Sequence, residues 1–302
     1  MPETKPKVSV IGVGAMGHGI AGNLVTKGFP TVVVGNHNRA PVAALVKRGA
    51  IEAADPAAAA QCSDIVVICV QGSPQVEVVV LGSNGILEAA RSGLVVVDCT
   101  TSEPESTARL AAALAAKGVP LVDAPLARTP KEAEEGRLNA MVGAEPAVFV
   151  RIEPVLKAFC ENIFHVGGAG AGHKTKLVYN LLTMGQAALI AEALVAAVKS
   201  GLDIEAFSKV VAAGAANSGI YQMIVPSARA GTYDGLKFGL DLAKKDLRYY
   251  THMTEALGLP SIMGEAVHQS FVQASALGFG EGMVGNLVAA QEKITGAKVR
   301  RA

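Results

Sequence analysis

The 302-residue sequence has no excess of charge of either sign: 27 Lys and Arg stand against 26 Asp and Glu, a formal net charge of +1. With no basic run and no acidic tail, it lacks the electrostatic footprint of a nucleic-acid binder. Cysteine is scarce. Cys62, Cys69, Cys99 and Cys160 stand singly, without Cys-x-x-Cys spacing, which argues against a disulfide framework and reads as reduced, packed thiols in a cytosolic protein. The six histidines form no His-x-x-x-His or His-Glu-x-x-His set, so no metal is expected. No apolar h-region opens the chain: Met1 to Lys7 is polar, contains two prolines and reads as a short frayed tail. The most apolar long segment, Leu177 to Val198, approaches membrane-spanning length, but Asn180, Gln186 and Glu192 interrupt it. A buried helix in a protein core is the expectation, with no membrane and no nucleic acid among the partners.

What is present is apolar material, 50% of residues, in a chain long enough to divide into domains. The joint is expected at Gly170 to Asn180, where alternating strand and helix signals give way to helix signals alone. This suggests an N-terminal domain over 1–168 and a C-terminal one over 169–302. Val8 to Ile11 is a short apolar strand running into Gly12-Val13-Gly14-Ala15-Met16-Gly17, followed by a helical pattern that Gly28 ends. That is the Gly-x-Gly-x-x-Gly fingerprint of dinucleotide binding in its required context: a tight turn, close approach of the backbone to pyrophosphate, close helix packing. A second strand, Thr31 to Val34, follows. Where an acid would hold the ribose hydroxyls of NAD, the chain reads Gly35-Asn36-His37-Asn38-Arg39. Without that acid, and with Arg39 offering a planar donor fork beside Asn36 and Asn38, NADP is favoured over NAD. The alternative is a solvated Arg39 that merely begins the next helix.

Ile65 to Val70, Leu94 to Asp98 and Val119 to Asp123 alternate with alanine-rich helical segments, and Leu138 to Val142 and Ile163 to Val166 read as two closing strands. The alternation implies an α/β fold, a Rossmann-like, doubly wound, mostly parallel sheet, followed by an all-α domain. Ligands of such sheets bind beyond the carboxyl ends of strands, so Val70-Gln71, Thr100-Thr101-Ser102 and Ala124 to Thr129 are the tips to examine. The later helical patterns are Gly172 to Lys199, Ile204 to Ala213, Gly219 to Ala230, Leu240 to Leu257 and Pro260 to Leu277. On the first of these, Lys176 and Asn180 are four residues apart and share a face. Spacing alone does not separate a site from a solvated lysine.

In order along the chain, the glycine loop, Asp98-Cys-Thr-Thr101-Ser-Glu-Pro104, Asp123-Ala-Pro125 leading to Met141-Val-Gly143, and Gly170-x-Gly172-x-x-x-Lys176-x-x-x-Asn180 with Phe238, Lys245, Asp246 and Leu247 resemble the β-hydroxyacid dehydrogenase family. The match runs from Val8 to about Gly296 and includes 3-hydroxyisobutyrate dehydrogenases and tartronate semialdehyde reductases. The resemblance implies an NAD(P)-dependent enzyme acting on a small β-hydroxy acid or semialdehyde. It implies Lys176 as general acid or base, Asn180 as a substrate-orienting residue, Lys245 as a contact of the closed site, to substrate and cofactor, and a homodimer or homotetramer. Thr101, Pro125, Leu126, Ala127, Arg128 and Thr129 are the further substrate candidates, and Val70, Gln71 and Thr101 join the glycine loop, Asn36, Asn38 and Arg39 as cofactor candidates. Where the family usually reads Asp-Ala-Pro-Val-Ser-Gly-Gly, this chain has Leu126-Ala127-Arg128-Thr129. Arg128 either clamps a carboxylate, altering substrate choice, or points to solvent or pairs with Glu132 or Glu134. An imine reductase and a non-catalytic dinucleotide-binding module are the alternatives; the resemblance counts against the first, which lacks a lysine at this position.

Overall fold

A computed structural model describes residues 5–300; most of the polar N-terminal stretch expected to fray lies outside them. The chain divides into two compact units, the first ending at Lys176 and the second beginning at Leu177.

In the first unit, strands β1 (Val8–Ile11), β2 (Thr31–Val34), β3 (Ile51–Glu52), β4 (Ile65–Ile68), β5 (Val95–Asp98), β6 (Leu121–Asp123), β7 (Leu126–Ala127), β8 (Leu138–Gly143) and β9 (Cys160–Gly167) form one sheet. Helices α1 (Gly17–Thr26), α2 (Ala40–Lys47), α3 (Pro56–Gln61), α4 (Ser73–Leu81), α5 (Pro104–Ala115), α6 (Pro130–Glu134) and α7 (Pro146–Leu156) lie between them. The strand order is β3-β2-β1-β4-β5-β6-β8-β7, with β9 also pairing β8, and β3 through β6 are parallel. Strands β1, β2, β4 and β5 are four-residue runs dominated by Val and Ile, buried throughout, as a parallel sheet covered on both faces requires. Val10, Val67 and Val97 enter one apolar cluster with Ile20 and Leu24 of α1, while Ile11, Val66 and Val96 enter another with Val76, Val80 and Leu110. Alternate residues thus face opposite helical layers, which is the doubly wound arrangement. Among the polar members of these strands, Ser9 of β1 is satisfied by the Ala59 carbonyl at 3.1 Å and Ser63 at 2.5 Å, and Thr31 of β2 by the Phe29 carbonyl at 2.8 Å.

The sheet departs from a purely parallel one at its far edge. β8 runs antiparallel to β6 and to β7, and β9 parallel to β8. The two-residue strands β3 and β7 carry no period-2 signal and are not anticipated by the sequence pattern.

The second unit is helical: the remainder of α8 (Ala171–Lys199), then α9 (Ile204–Ala213), α10 (Gly219–Ala230), α11 (Leu240–Ala256), α12 (Ile262–Ala274) and α13 (Asn286–Thr295). The helix expected over 260–277 ends earlier, because a short π turn and Gly278 at φ +95° break it. Ala187, Ala191, Leu194, Ile224, Leu247, Phe271 and Val288 form the core. α8 is long and apolar enough by length and composition to cross a membrane; 39% of its most apolar window is buried, and it supplies Met184, Ala187, Ala191 and Leu194 to the core of this unit.

The thiols are free, and Cys62 corrects the expectation that all are packed, being exposed. Burial pushes Cys160 up to about 12 and Cys99 well above the ordinary thiol value, so neither is a thiolate near neutrality.

Candidate active site

The glycine loop joins β1 to α1, and each glycine has a distinct reason. Gly12 sits at φ +91°, and a Cβ there would lie 2.3 Å from the Cys69 carbonyl oxygen. At Gly17 a Cβ would lie 1.8 Å from the Gly12 carbonyl oxygen, so the first turn of α1 can close on the loop only without a side chain. Beside Gly14 an added Cβ meets nothing within 4 Å, and both Gly14 and Ala15 are exposed. Val13 is buried and Met16 packs on the core, anchoring the loop from below. An open glycine at the start of a ten-residue helix fits a dinucleotide whose pyrophosphate meets backbone N–H groups and the positive helix end.

At the end of β2, Asn36, Asn38 and Arg39 are exposed, and the Asn38 Oδ1 accepts the Ala40 N–H at 3.1 Å. Arg39 folds back toward Gly35, its Nη1 3.2 Å from where a Cβ would be, and its guanidinium donates to Glu52 of β3. The sequence reading missed Glu52, which stands in the two-residue strand.

The tips of β4 and β5 are tied together. The Val70 N–H donates to Thr100 Oγ1 at 3.1 Å, and the Glu103 N–H to Ser73 Oγ at 2.7 Å. Asp98, buried at the end of β5, accepts from the Thr100 N–H at 2.9 Å and from Ser102 Oγ at 3.0 Å. Gln71 is exposed and Thr101 half-buried at these tips.

After β6, Pro125 is buried and its carbonyl accepts the Met141 N–H at 3.1 Å. Leu126 and Ala127 are not in an open loop: both are buried strand residues of β7, paired with Ala140 and Asn139. Arg128 occupies the left-handed region at φ +83°, a conformation that favours the glycine it replaces. Its guanidinium donates to Glu161 and the Arg137 carbonyl, partners other than the alternatives Glu132 and Glu134. Glu132 is instead engaged by Thr129 in a capping box that starts α6.

The first turn of α8 is built onto the ends of β5 and β6. Gly172 approaches so closely that a Cβ would lie 2.4 Å from the Met141 carbonyl oxygen and 2.5 Å from that of Asp123. Asp123 accepts the Gly170 N–H at 2.6 Å and the His173 N–H at 2.7 Å, satisfying the opening donors of the helix. Burial pushes its carboxyl above the ordinary value, and His173 and these N–H groups pull it back. Lys176 follows one turn later and is 7% exposed. Four residues further along the helix, in the second unit, Asn180 is buried and donates from Nδ2 to Asp246 Oδ2 at 2.6 Å. That bond uses an amide hydrogen, and the Asn180 Oδ1 keeps its capacity to accept. The Lys245 ammonium stands 3.0 Å from Asp246 Oδ1, close enough for an ion pair though misaligned for a hydrogen bond, and 4.9 Å from the Tyr249 ring centre.

Asp98, Asp123 and Asp246 lie within the motifs of the sequence, but their roles as acceptors, and that of His173, emerge only from the fold. Asp98 and Asp123 stand at the ends of strand runs, a legible signal; His173, three residues before Lys176, is legible only by helical spacing.

A model of the NAD binding domain of 6-phosphogluconate dehydrogenase matches residues 7–167, and one described as NAD-binding of NADP-dependent 3-hydroxyisobutyrate dehydrogenase matches 170–288. The 2-(hydroxymethyl)glutarate dehydrogenase of Eubacterium barkeri is 36% identical over 300 residues, 98% of either chain. The 3-sulfolactaldehyde reductase of Escherichia coli K12 is 32% identical over 90% of this chain and 91% of its own. The solved 3-hydroxyisobutyrate dehydrogenase of Salmonella typhimurium superimposes with a TM-score of 0.82 at 27% identity, covering 94% of this chain and 99% of its own. The chain belongs to the β-hydroxyacid dehydrogenase family of NAD(P)-dependent oxidoreductases.

Proposed function

We propose that this enzyme interconverts a small β-hydroxy acid and its semialdehyde, with Lys176 as general acid and base. The observation that carries the reading is a buried lysine on a helix whose first turn is fixed to the carboxyl ends of β5 and β6, where doubly wound sheets receive their ligands. When bound, the nicotinamide cofactor supplies the hydride acceptor or donor. In oxidation the Lys176 amine accepts the hydroxyl proton as the carbon loses its hydride; in reduction the ammonium polarises the carbonyl and returns the proton. Asn180, held by Asp246, offers an amide oxygen to a substrate hydroxyl, and Lys245 is a contact to substrate and cofactor. Thr101, Pro125, Leu126, Ala127 and Thr129 are assigned to the substrate wall, and Val70, Gln71 and the Gly12–Gly17 loop to the cofactor.

NADP is the proposed cofactor. Arg39 lies at the end of β2 with no acid beside it on that strand, and its exposed bond to Glu52, worth at most about 1 kcal/mol, is one a 2′-phosphate can replace. A substrate with a second carboxylate, as the name of the Eubacterium barkeri relative implies for that enzyme, has a candidate partner in Arg128. The exposed Val178, Tyr179, Leu182 and Leu189 along α8 favour a homodimer or homotetramer, and the single cysteines a cytoplasmic setting. Assaying a panel of mono- and dicarboxylic β-hydroxy acids with both cofactors tests the reading; turnover with NADP on at least one is expected, and no turnover on any would overturn it.

A further inference from the structure

His173 is fully buried, and a buried imidazole is tolerated only when its nitrogens are satisfied. Its Nε2 lies 2.9 Å from the Thr100 carbonyl oxygen, which can only accept, so Nε2 carries a hydrogen. Its Nδ1 lies 2.7 Å from Thr107 Oγ1 of α5. The Thr107 hydroxyl has one hydrogen and a second acceptor, the Glu103 carbonyl at 3.0 Å. A neutral ring therefore receives that hydrogen at Nδ1; a protonated ring donates to the hydroxyl, which turns to Glu103. In both states the ring is gripped from two sides, with Asp98 Oδ2 3.7 Å from Nε2.

Thr100 receives this grip on its carbonyl while its hydroxyl accepts the Val70 N–H and its own N–H is held by Asp98. One residue thus joins the tips of β4 and β5, where Val70 and Gln71 are assigned to the cofactor and Thr101 to the substrate, to the first turn of α8. His173 and Lys176 are three residues apart on that turn and share a face. Asp123 and Gly172 fasten the helix start through the backbone, independently of the imidazole.

We infer that His173 is a positioning residue: its ring locks the first turn of α8 to the loop after β5 and so sets where Lys176 stands relative to the cofactor-receiving tips. This rests on the reading of Lys176 as the acid and base. A misplacement of about 1 Å in a reacting group lowers turnover about 100-fold, whereas the backbone clamp keeps the fold.

The test compares kcat, KM, cofactor Kd and Tm of the full-length enzyme with those of His173→Phe, His173→Gln and Lys176→Ala. His173→Phe is expected to lower kcat about 10- to 100-fold with KM and cofactor Kd little changed. His173→Gln, whose amide nitrogen can reach the Nε2 position, should restore most of the loss. A His173→Phe enzyme with the original kcat, or a Gln variant no better than Phe, overturns the inference. Should Phe fail to fold, Thr107→Val against Thr107→Ser decides: Val should lower kcat and Ser restore it, and equal rates overturn the proposal. A Lys176→Ala enzyme that keeps its kcat overturns the functional reading and this inference with it; an inactive Lys176→Ala beside a fully active His173→Phe overturns the inference alone.

Discussion

Replacing Gly17 and Gly14 by alanine should give opposite phenotypes, although the two glycines are three residues apart in one loop. At Gly17 the new Cβ would stand 1.8 Å from the Gly12 carbonyl oxygen and 2.9 Å from its carbon, both backbone atoms that cannot swing aside. Relief requires α1 to lift from the loop, and overpacking of this kind costs about 1–3 kcal/mol or more. Because both blocking atoms are backbone the upper figure, about 3 kcal/mol, applies; alanine's helix preference returns about 1 kcal/mol, leaving a net loss of about 2 kcal/mol. In a unit of this size that lowers Tm by about 4–8 °C. At Gly14 nothing lies within 4 Å of the added methyl, so stability should stay within about 0.5 kcal/mol. The methyl would project where pyrophosphate approaches the backbone, and a tenfold weaker cofactor Kd corresponds to about 1.4 kcal/mol. Calorimetry of the cofactor-free protein and a fluorescence titration with NADP separate the two. A Gly14→Ala protein that binds the cofactor as tightly as before, or a Gly17→Ala protein with unaltered Tm, refutes the assignment of the loop.

Three further outcomes are expected. Glu52→Gln frees Arg39 and should raise the NADP-to-NAD ratio of kcat/KM by up to about fivefold, the equivalent of an exposed pair's ~1 kcal/mol; an unmoved ratio contradicts the role given to Arg39. At Arg128, glycine should be more stable than alanine by about 1 kcal/mol, since both lose the Glu161 bond and only glycine is at ease at φ +83°; urea midpoints check the order, and the Gly variant should also change the ranking of mono- and dicarboxylic substrates. Asp246→Ala removes the acceptor of the buried Asn180 amide and should cost about 1–3 kcal/mol in chemical denaturation, a loss whose absence would count against the buried network.

The parallel half of the sheet is legible because its strands are short apolar runs divided by helical periods, and the glycine loop because its spacing is set by local sterics at Gly12 and Gly17. β3 and β7 are not, since two residues cannot show a period of two, and so Leu126 and Ala127 read as loop. The reversal of β8 is equally hidden, because strand direction is decided by how the 124–137 segment folds back and not by the composition of either strand. Partners far apart in sequence escape for a related reason: Arg39 finds Glu52 and Arg128 finds Glu161, 13 and 33 residues away, through strand placement that periodicity does not report. Lys176 and Asn180 are visible by helical spacing and by the resemblance, whereas the polar cage of Asp98, Thr100, Thr107 and Asp123 around His173 comes from β5, the loop after it, α5 and β6 and exists only after folding.

The central claim is that Lys176 moves the proton while leaving the cofactor to be held by the glycine-loop unit. Its most direct test is kcat of Lys176→Ala on the best substrate of the panel, measured beside the Kd for NADP. Loss of general acid–base catalysis predicts a fall of about 10²–10⁴-fold in kcat with an essentially unchanged Kd. A Lys176→Ala enzyme that turns over as fast as the original would contradict the account.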